Sequence, residues 1–250
     1  MSEVSGEAGI IRDLVARIRE FCRTHAEERI ITKYAKFFRE GFDAYGVDPD
    51  LRGSESDRML KEHRASLGFA GFLDLADRLM ASGKYEEACF AIHFVNGFRK
   101  EYTLDAFERL GDWFDGKVLN WAISDSICGG SLSYLLSQSI IRLDDFAPWR
   151  ASSNKWKRRA VPVTMLILLT GEFDIRHLLR FIGSMMMDEE RVVHQGLGWF
   201  LREAWRKSPS EVDEFLAEWK DTAARLIFQY ATEKMTAEQR SRFRRAKAAK

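Results

Sequence analysis

Four apolar segments decide the fold: EEACFAIHF (86–94), WAISDSI (121–127), RRAVPVT (158–164) and HQGLGWF (194–200). Each contains one small residue at an equivalent place, and successive small residues, Ala88, Ser124, Ala160 and Gly196, are 36 positions apart. A small side chain lets neighbouring helices approach closely, and a repeat of about 40 residues is typical of HEAT arrays. The spacing favours a HEAT-like helical repeat over the alternative, an irregular helical bundle.

Helical spacing of apolar residues extends over most of the chain, as at Ile11, Leu14 and Ile18. Turn-forming stretches such as FDGK, CGGS and KSPSE fall at short intervals, and strict strand alternation is rare. We therefore predict an all-α fold, a single HEAT-like solenoid domain spanning residues 1–250. Residues 1–8 and about 240–250 are predicted to be frayed ends.

The overall charge is close to neutral, with 39 Lys and Arg against 38 Asp and Glu, so the chain as a whole is no polyanion-coating protein. The distribution is uneven. Residues 1–145 have 19 Lys and Arg against 25 Asp and Glu, whereas residues 146–250 have 20 against 13. Cations cluster in WRASSNKWKRR (149–159) and in the terminal QRSRFRRAKAAK, which predicts a polyanion-binding surface in the second half. A solvated helix end is the alternative for the terminal cluster.

The absence of several sequence motifs argues against several classes of protein. Cys22, Cys89 and Cys128 are odd in number and form no C-x-x-C, which argues against a disulfide scaffold and favours a reducing cytoplasm. No histidine pair has metal-ligand spacing, and no glycine-rich phosphate or dinucleotide loop is present, so we expect neither metal nor cofactor. The longest apolar run, residues 160–169, is too short to cross a bilayer, so we expect no membrane association.

Polar and aromatic residues recur together in the middle and later helices. Trp121 and Asp125 are four residues apart, which places an indole and a carboxylate on one helix face. NKWKRR (154–159) opens the next apolar helix with four cations, and GLGWFLRE (196–203) follows one repeat later. In any single segment the indole could be a core residue and the charges solvated, but their joint occurrence at the repeat spacing favours a functional site.

In order and spacing, NWAISD, NKWKRRAV, QGLGWFLREAW and IFQYATEKM resemble the DNA alkylation repair family of AlkD-like HEAT-repeat DNA glycosylases. The resemblance covers roughly residues 30–235 and is strongest from Asn120 onward. It implies a solenoid with a concave, basic DNA-binding face and action on duplex DNA containing alkylated purines. It further implies a monomer located in the bacterial cytoplasm, at the nucleoid during repair.

Residue by residue, the resemblance assigns the catalytic roles to Asp125, Trp121, Arg159 and Trp199. Phosphate contacts are expected from the cations Lys155, Lys157, Arg158 and Arg202. Phe37 stands where the best-known members have a tyrosine that contacts DNA. The implied activity is excision of cationic N3- and N7-alkylpurines, with a non-catalytic repeat protein that binds DNA or branched DNA as the alternative.

Overall fold

The computed structural model describes residues 2–245, with backbone alone for residues 2–5. Every regular element in this range is helical, which confirms the all-α prediction. The chain divides into two compact units, Met1–Ser131 and Leu132–Lys250. No helix within the described range has the length and apolar character needed to span a membrane.

Unit 1 is built around the helices α3 (Pro49–Met80) and α4 (Tyr85–Asn96), which pack on each other, with α1 (Ser2–Thr24) packed on both. The long α3 is interrupted at Gly68, whose φ of +58° lies in the left-handed region that favours glycine. The core of unit 1 is rich in phenylalanine, including Phe72, Phe90 and Phe94. The helices of unit 1 are α1 Ser2–Thr24, α2 Glu28–Ala35, α3 Pro49–Met80, α4 Tyr85–Asn96, α5 Leu104–Trp113 and α6 Trp121–Ile127, with a 3-10 turn at Arg99–Glu101.

Unit 2 is organised around the helix α10 (Arg191–Trp205), which packs against α8 (Lys155–Thr164), α11 (Pro209–Trp219) and α12 (Arg225–Ala231). A π-helical turn, Cys128–Leu132, precedes α7, and 3-10 turns lie at Leu143–Phe146, Pro148–Ala151 and Met165–Thr170. The helices of unit 2 are α7 Ser133–Ser137, α8 Lys155–Thr164, α9 Ile175–Gly183, α10 Arg191–Trp205, α11 Pro209–Trp219, α12 Arg225–Ala231 and α13 Ala237–Ser241.

The four small residues at 36-residue spacing lie in α4, α6, α8 and α10, and all four are buried. A Cβ atom at Gly196 would lie 3.4 Å from the Cγ of Arg159 on α8, an ordinary van der Waals contact. At Gly198 a Cβ atom would lie 2.4 Å from the Cβ of Tyr230, so the absence of a side chain there permits the close approach of α12. The solenoid arrangement itself stays a prediction.

The frayed ends predicted from the sequence stay a prediction, and parts of both ends are helical in the described residues. α1 begins at Ser2, so residues 2–8 are helical. At the other end α13 continues to Ser241, held by a capping box between Thr236 and Gln239. Residues 1 and 246–250, which belong to the same prediction, lie outside the described residues.

Candidate functional site

The short helix α6 presents the first two predicted site residues. It begins at Trp121 because the side chain of Asn120 caps it, accepting a hydrogen bond of 3.0 Å from the Ile123 amide. Ile123, together with Ser124 and Ile127, faces the core. Trp121 and Asp125 are one turn apart on the opposite face, the indole 38% exposed and the carboxylate half-buried.

The orientation of the Trp121 indole is fixed by the segment that follows α2. Its Nε1 donates a hydrogen bond of 3.1 Å to the carbonyl oxygen of Phe37. Its ring stacks on Phe38 with centroids 5.5 Å apart and planes inclined by 14°, and Phe38 stacks in turn on Phe42 at 4.4 Å. The hydrogen bond and the stacking together fix the orientation of the indole, part of which stays exposed.

These rings form the wall of a pocket of about 420 Å³ that lies wholly within unit 1. Six aromatic side chains line it: Tyr34, Phe37, Phe38, Phe42, Tyr85 and Trp121. Phe37 is 56% exposed at this site, which agrees with a surface role for the ring. Tyr34, one turn before Phe37, adds a tyrosine side chain to the pocket lining.

Two charged residues, Glu86 and Arg52, also line the pocket, and they differ in the contacts that their charged groups make. The buried Glu86 carboxylate accepts hydrogen bonds from the backbone amides of Tyr45, Gly46 and Val47 at 2.8, 2.8 and 3.1 Å. The Arg52 guanidinium lies 5.9 Å from the centroid of the Tyr85 ring. Desolvation by burial raises the pKa of Tyr85 above its ordinary value.

The basic run at the start of α8 belongs to unit 2. Asn154 caps this helix, accepting from the amides of Trp156 and Lys157 at 2.8 and 3.4 Å. Lys155 lies over the Trp156 ring at 5.5 Å and Lys157 over the Trp149 ring at 5.3 Å. Both lysines are half-exposed and therefore accessible to a ligand.

The two arginines that follow are engaged in the packing of unit 2. Arg158 forms a two-bond ion pair with Asp188, at 2.6 and 3.2 Å, and also donates to the carbonyl of Ser152 at 2.7 Å. Arg159 is 5% exposed and donates to the carbonyl of Val192 at 2.7 Å. A phosphate contact by Arg158 would have to compete with the carboxylate of Asp188.

On α10, Trp199 is half-buried and lines a second surface pocket of about 530 Å³, together with Leu166 and Leu169. One turn further along, Arg202 is ion-paired with Glu203 at 2.9 Å and Glu233 at 2.6 Å. Arg202 is therefore neutralised locally on both sides.

The predicted site residues thus fall in two groups. Trp121, Asp125 and Phe37 belong to unit 1, and the predicted residues on α8 and α10 belong to unit 2. That Trp121, Asp125, Arg159 and Trp199 line one concave surface stays a prediction. Among the described residues no group of three or more His, Cys, Asp or Glu side chains could hold a metal ion.

Sequence reasoning missed Tyr34, Phe38, Phe42, Tyr85 and Arg52, which complete the aromatic pocket. The signal that could have found some of them is KYAKFFR (33–39), where basic and aromatic residues alternate in a pattern typical of nucleic-acid binding. It lies in residues 1–145, where acidic residues outnumber basic ones, so the distribution of charge along the sequence does not indicate it.

Comparison with known proteins agrees with this fold. The family model for DNA alkylation repair enzymes matches residues 18–235, so the chain belongs to that family. A solved structure described as a predicted DNA alkylation repair enzyme from Enterococcus faecalis matches 85% of this chain and 98% of its own, with a TM-score of 0.71 and 17% sequence identity. At that identity the likeness establishes the fold alone. No curated protein sequence matches the chain. The AlkD-like subgroup stays a prediction.

Proposed function

We propose that the chain is a monofunctional DNA glycosylase that hydrolyses the N-glycosidic bond of cationic N3- and N7-alkylpurines in duplex DNA. The observation that supports this most directly is the arrangement of α6, where a partly exposed Trp121 and the Asp125 carboxylate share one face. Membership of the family supports a role in DNA alkylation repair. We further propose that it acts as a monomer in the bacterial cytoplasm, at the nucleoid during repair.

The chemistry requires little beyond a well-placed negative charge. An N3- or N7-alkylpurine is already cationic, so the bond from C1′ to the base nitrogen can break with its electron pair neutralising the departing purine. Positive charge then develops on the deoxyribose, and the Asp125 carboxylate stabilises it. Water adds at C1′, its proton passing to Asp125 or to solvent, and an abasic site remains.

Trp121 contributes a fixed π surface beside that carboxylate. Because its ring is held by the Phe37 carbonyl and by stacking on Phe38, little conformational entropy is lost when a cation approaches it. A cation–π contact of this kind contributes about 0.5–2 kcal/mol. Trp199 is proposed to make the second such contact.

Phosphate binding in unit 2 is proposed to rest on Lys155 and Lys157, which are half-exposed and lie over indole rings, and on Arg158 and Arg202. Arg158 and Arg202 would each have to exchange a carboxylate partner for the phosphate. Arg159, buried on α8, is proposed to orient the backbone near the lesion. Binding through such contacts weakens steeply with added salt.

The test is base release from methylated duplex DNA, with the released purines separated by chromatography. Asp125→Asn preserves size and removes the charge, so we expect release to fall about 100-fold or more while DNA affinity is kept or improved. Asp105→Asn is the matched control, because Asp105 is an exposed carboxylate on α5 of the same unit. Release by Asp125→Asn at the wild-type rate would contradict the catalytic role. A wild-type protein that binds DNA and releases no base would support the alternative, a non-catalytic repeat protein that binds DNA or branched DNA.

A further inference from the structure

Three exposed cations, Lys33, Lys36 and Arg39, follow one another at three-residue intervals along α2 and the turn after it. The ammonium groups of Lys33 and Lys36 lie 5.1 and 5.2 Å from the ring centroids of Tyr34 and Phe37. Within residues 6–245, none of the three cations is hydrogen-bonded or ion-paired through its side chain. They form an uncompensated positive edge beside the aromatic pocket, and such an edge attracts a polyanion.

The pocket has the volume and the aromatic lining to hold a flat ring. Its volume of about 420 Å³ falls in the range of small-molecule sites, and its walls are aromatic faces such as Phe37 and Trp121. Stacking on such faces is how proteins hold unpaired bases, since every base has a π face. Rings and phosphate-binding cations at one site are together the combination that an unpaired nucleotide requires.

Arg52 gives the pocket a preference for one kind of ligand edge. Its guanidinium has only donors and, among the described residues, contacts the Tyr85 ring without a hydrogen bond or ion pair. A ligand in the pocket is therefore favoured if it presents acceptors. Guanine presents O6 and N7 side by side, the pair that arginine binds with two parallel hydrogen bonds. Adenine has an amino donor in place of O6.

We propose that this pocket binds one unpaired, uncharged guanine of the DNA strand, stacked on Phe37 and held at its acceptor edge by Arg52, while Lys33, Lys36 and Arg39 bind the flanking phosphates. The inference rests on the proposed function in taking DNA as the ligand. It differs from it in the base concerned. The Glu86 carboxylate in the same wall is already bound by three backbone amides, whereas the Arg52 guanidinium has only donors to offer, so the pocket favours a neutral base with acceptors. The pocket holds a neighbouring or opposite base that has lost its partner.

The experiment compares three unmodified short duplexes: one with a single unpaired guanine, one with a single unpaired adenine, and one fully paired. Affinity is measured by fluorescence anisotropy at several salt concentrations. Wild-type protein is expected to prefer the unpaired guanine over the adenine by about fivefold or more, the lower end of what a bidentate arginine–guanine contact contributes. Phe37→Ala removes an exposed ring, so we expect it to weaken affinity for both unpaired probes by about fivefold or more.

Arg52 variants separate charge from geometry. Arg52→Lys keeps the positive charge and removes the two-pronged donor, so we expect the guanine preference to vanish while affinity for the adenine probe is kept. Arg52→Gln should abolish the preference as well. A guanine preference that survives in both variants overturns the assignment of Arg52.

The α2 cations have a matched control in the same unit. The triple variant Lys33→Gln/Lys36→Gln/Arg39→Gln is expected to reduce the slope of log affinity against log salt by about 1 for each phosphate that the protein no longer binds. The control, Lys61→Gln/Arg78→Gln/Lys100→Gln, removes the same charges from exposed positions elsewhere and should leave the slope unchanged. Equal slopes for the two triple variants overturn the phosphate-binding role.

Base release from methylated duplex is measured on the same preparations, which distinguishes this inference from the proposed function. If the protein releases alkylpurines but binds all three probes with equal affinity, the guanine pocket is overturned and the glycosylase activity is supported. Preference for unpaired guanine without any base release supports the pocket and overturns the glycosylase.

Discussion

Replacing Arg158 with alanine tests whether this residue binds DNA, as the sequence predicts, or holds unit 2 together. Its guanidinium makes two hydrogen bonds to Asp188, at 2.6 and 3.2 Å, and two to the carbonyls of Ser152 and Ser153, at 2.7 and 3.2 Å. The side chains of the ion pair are only 15% and 7% exposed. Arg158→Ala would therefore leave the carboxylate of Asp188 almost fully buried without its cation.

Removing one partner of a buried ion pair costs about 3–5 kcal/mol, because the remaining charge is uncompensated. For a chain of this length we expect a fall in Tm of roughly 6–20 °C, which thermal melts followed by circular dichroism would measure. Lys207→Ala, at an exposed position just after α10 in the same unit, is the control and should cost less than about 1 kcal/mol.

A double-mutant cycle identifies the cause. Asp188→Ala added to Arg158→Ala removes the stranded charge, so the double variant should be less destabilised than the sum of the single variants by about 0.5–3 kcal/mol. A melt of Arg158→Ala within about 1 kcal/mol of wild type, together with a salt slope for DNA reduced by about 1, would refute this reasoning. That result would establish Arg158 as a phosphate contact.

Three further predictions follow from burial. Gly198→Ala should destabilise the chain by about 1–3 kcal/mol, because its Cβ would lie 2.4 Å from a side-chain carbon of α12, whereas Gly183→Ala meets nothing within 4 Å and should be near neutral on the same melts. Trp121→Ala should lower base release with little change in Tm, while Trp113→Ala, at a fully buried indole, should cost about 3–5 kcal/mol; a large fall in Tm for both would make Trp121 a core residue. Burial raises the pKa of the Cys22 thiol to about 12, so iodoacetamide at pH 8 should label it only after unfolding. Stability should also fall as pH rises above the pKa of an unfolded thiol, where only the unfolded chain ionises.

The local part of the fold could be predicted from the sequence because its signals are local. Asn120 and Asn154 each stand just before a helix and cap it through the side chain, a pattern that needs only the next three residues. The buried small residues of α4, α6, α8 and α10 were likewise evident from apolar spacing. Trp121 and Asp125 share a face because four residues make about one helical turn.

The partners of the charged side chains could not be predicted in this way. Asp188, which pairs with Arg158, is 30 residues away, and Glu233, which pairs with Arg202, is 31 residues away. No pattern within a helix indicates such a contact, because it depends on how two helices pack. The aromatic pocket has the same origin, since the Trp121 indole meets the Phe37 carbonyl across 84 residues.

The distribution of charge along the chain illustrates why counting charges is a poor guide to a binding surface. The first half is acidic by count, yet two of its carboxylates are buried and satisfied inside unit 1: Glu86 by three backbone amides, and Glu87 by Arg19 and the Tyr45 hydroxyl. A carboxylate paired in this way contributes little field at the surface. The second half is basic by count, yet Arg158 and Arg202 are neutralised by neighbouring carboxylates. What a polyanion meets is the charge left after such pairing, and by that measure the KYAKFFR stretch (33–39) of α2 and the turn after it, in the acidic half, is a basic surface in its own right.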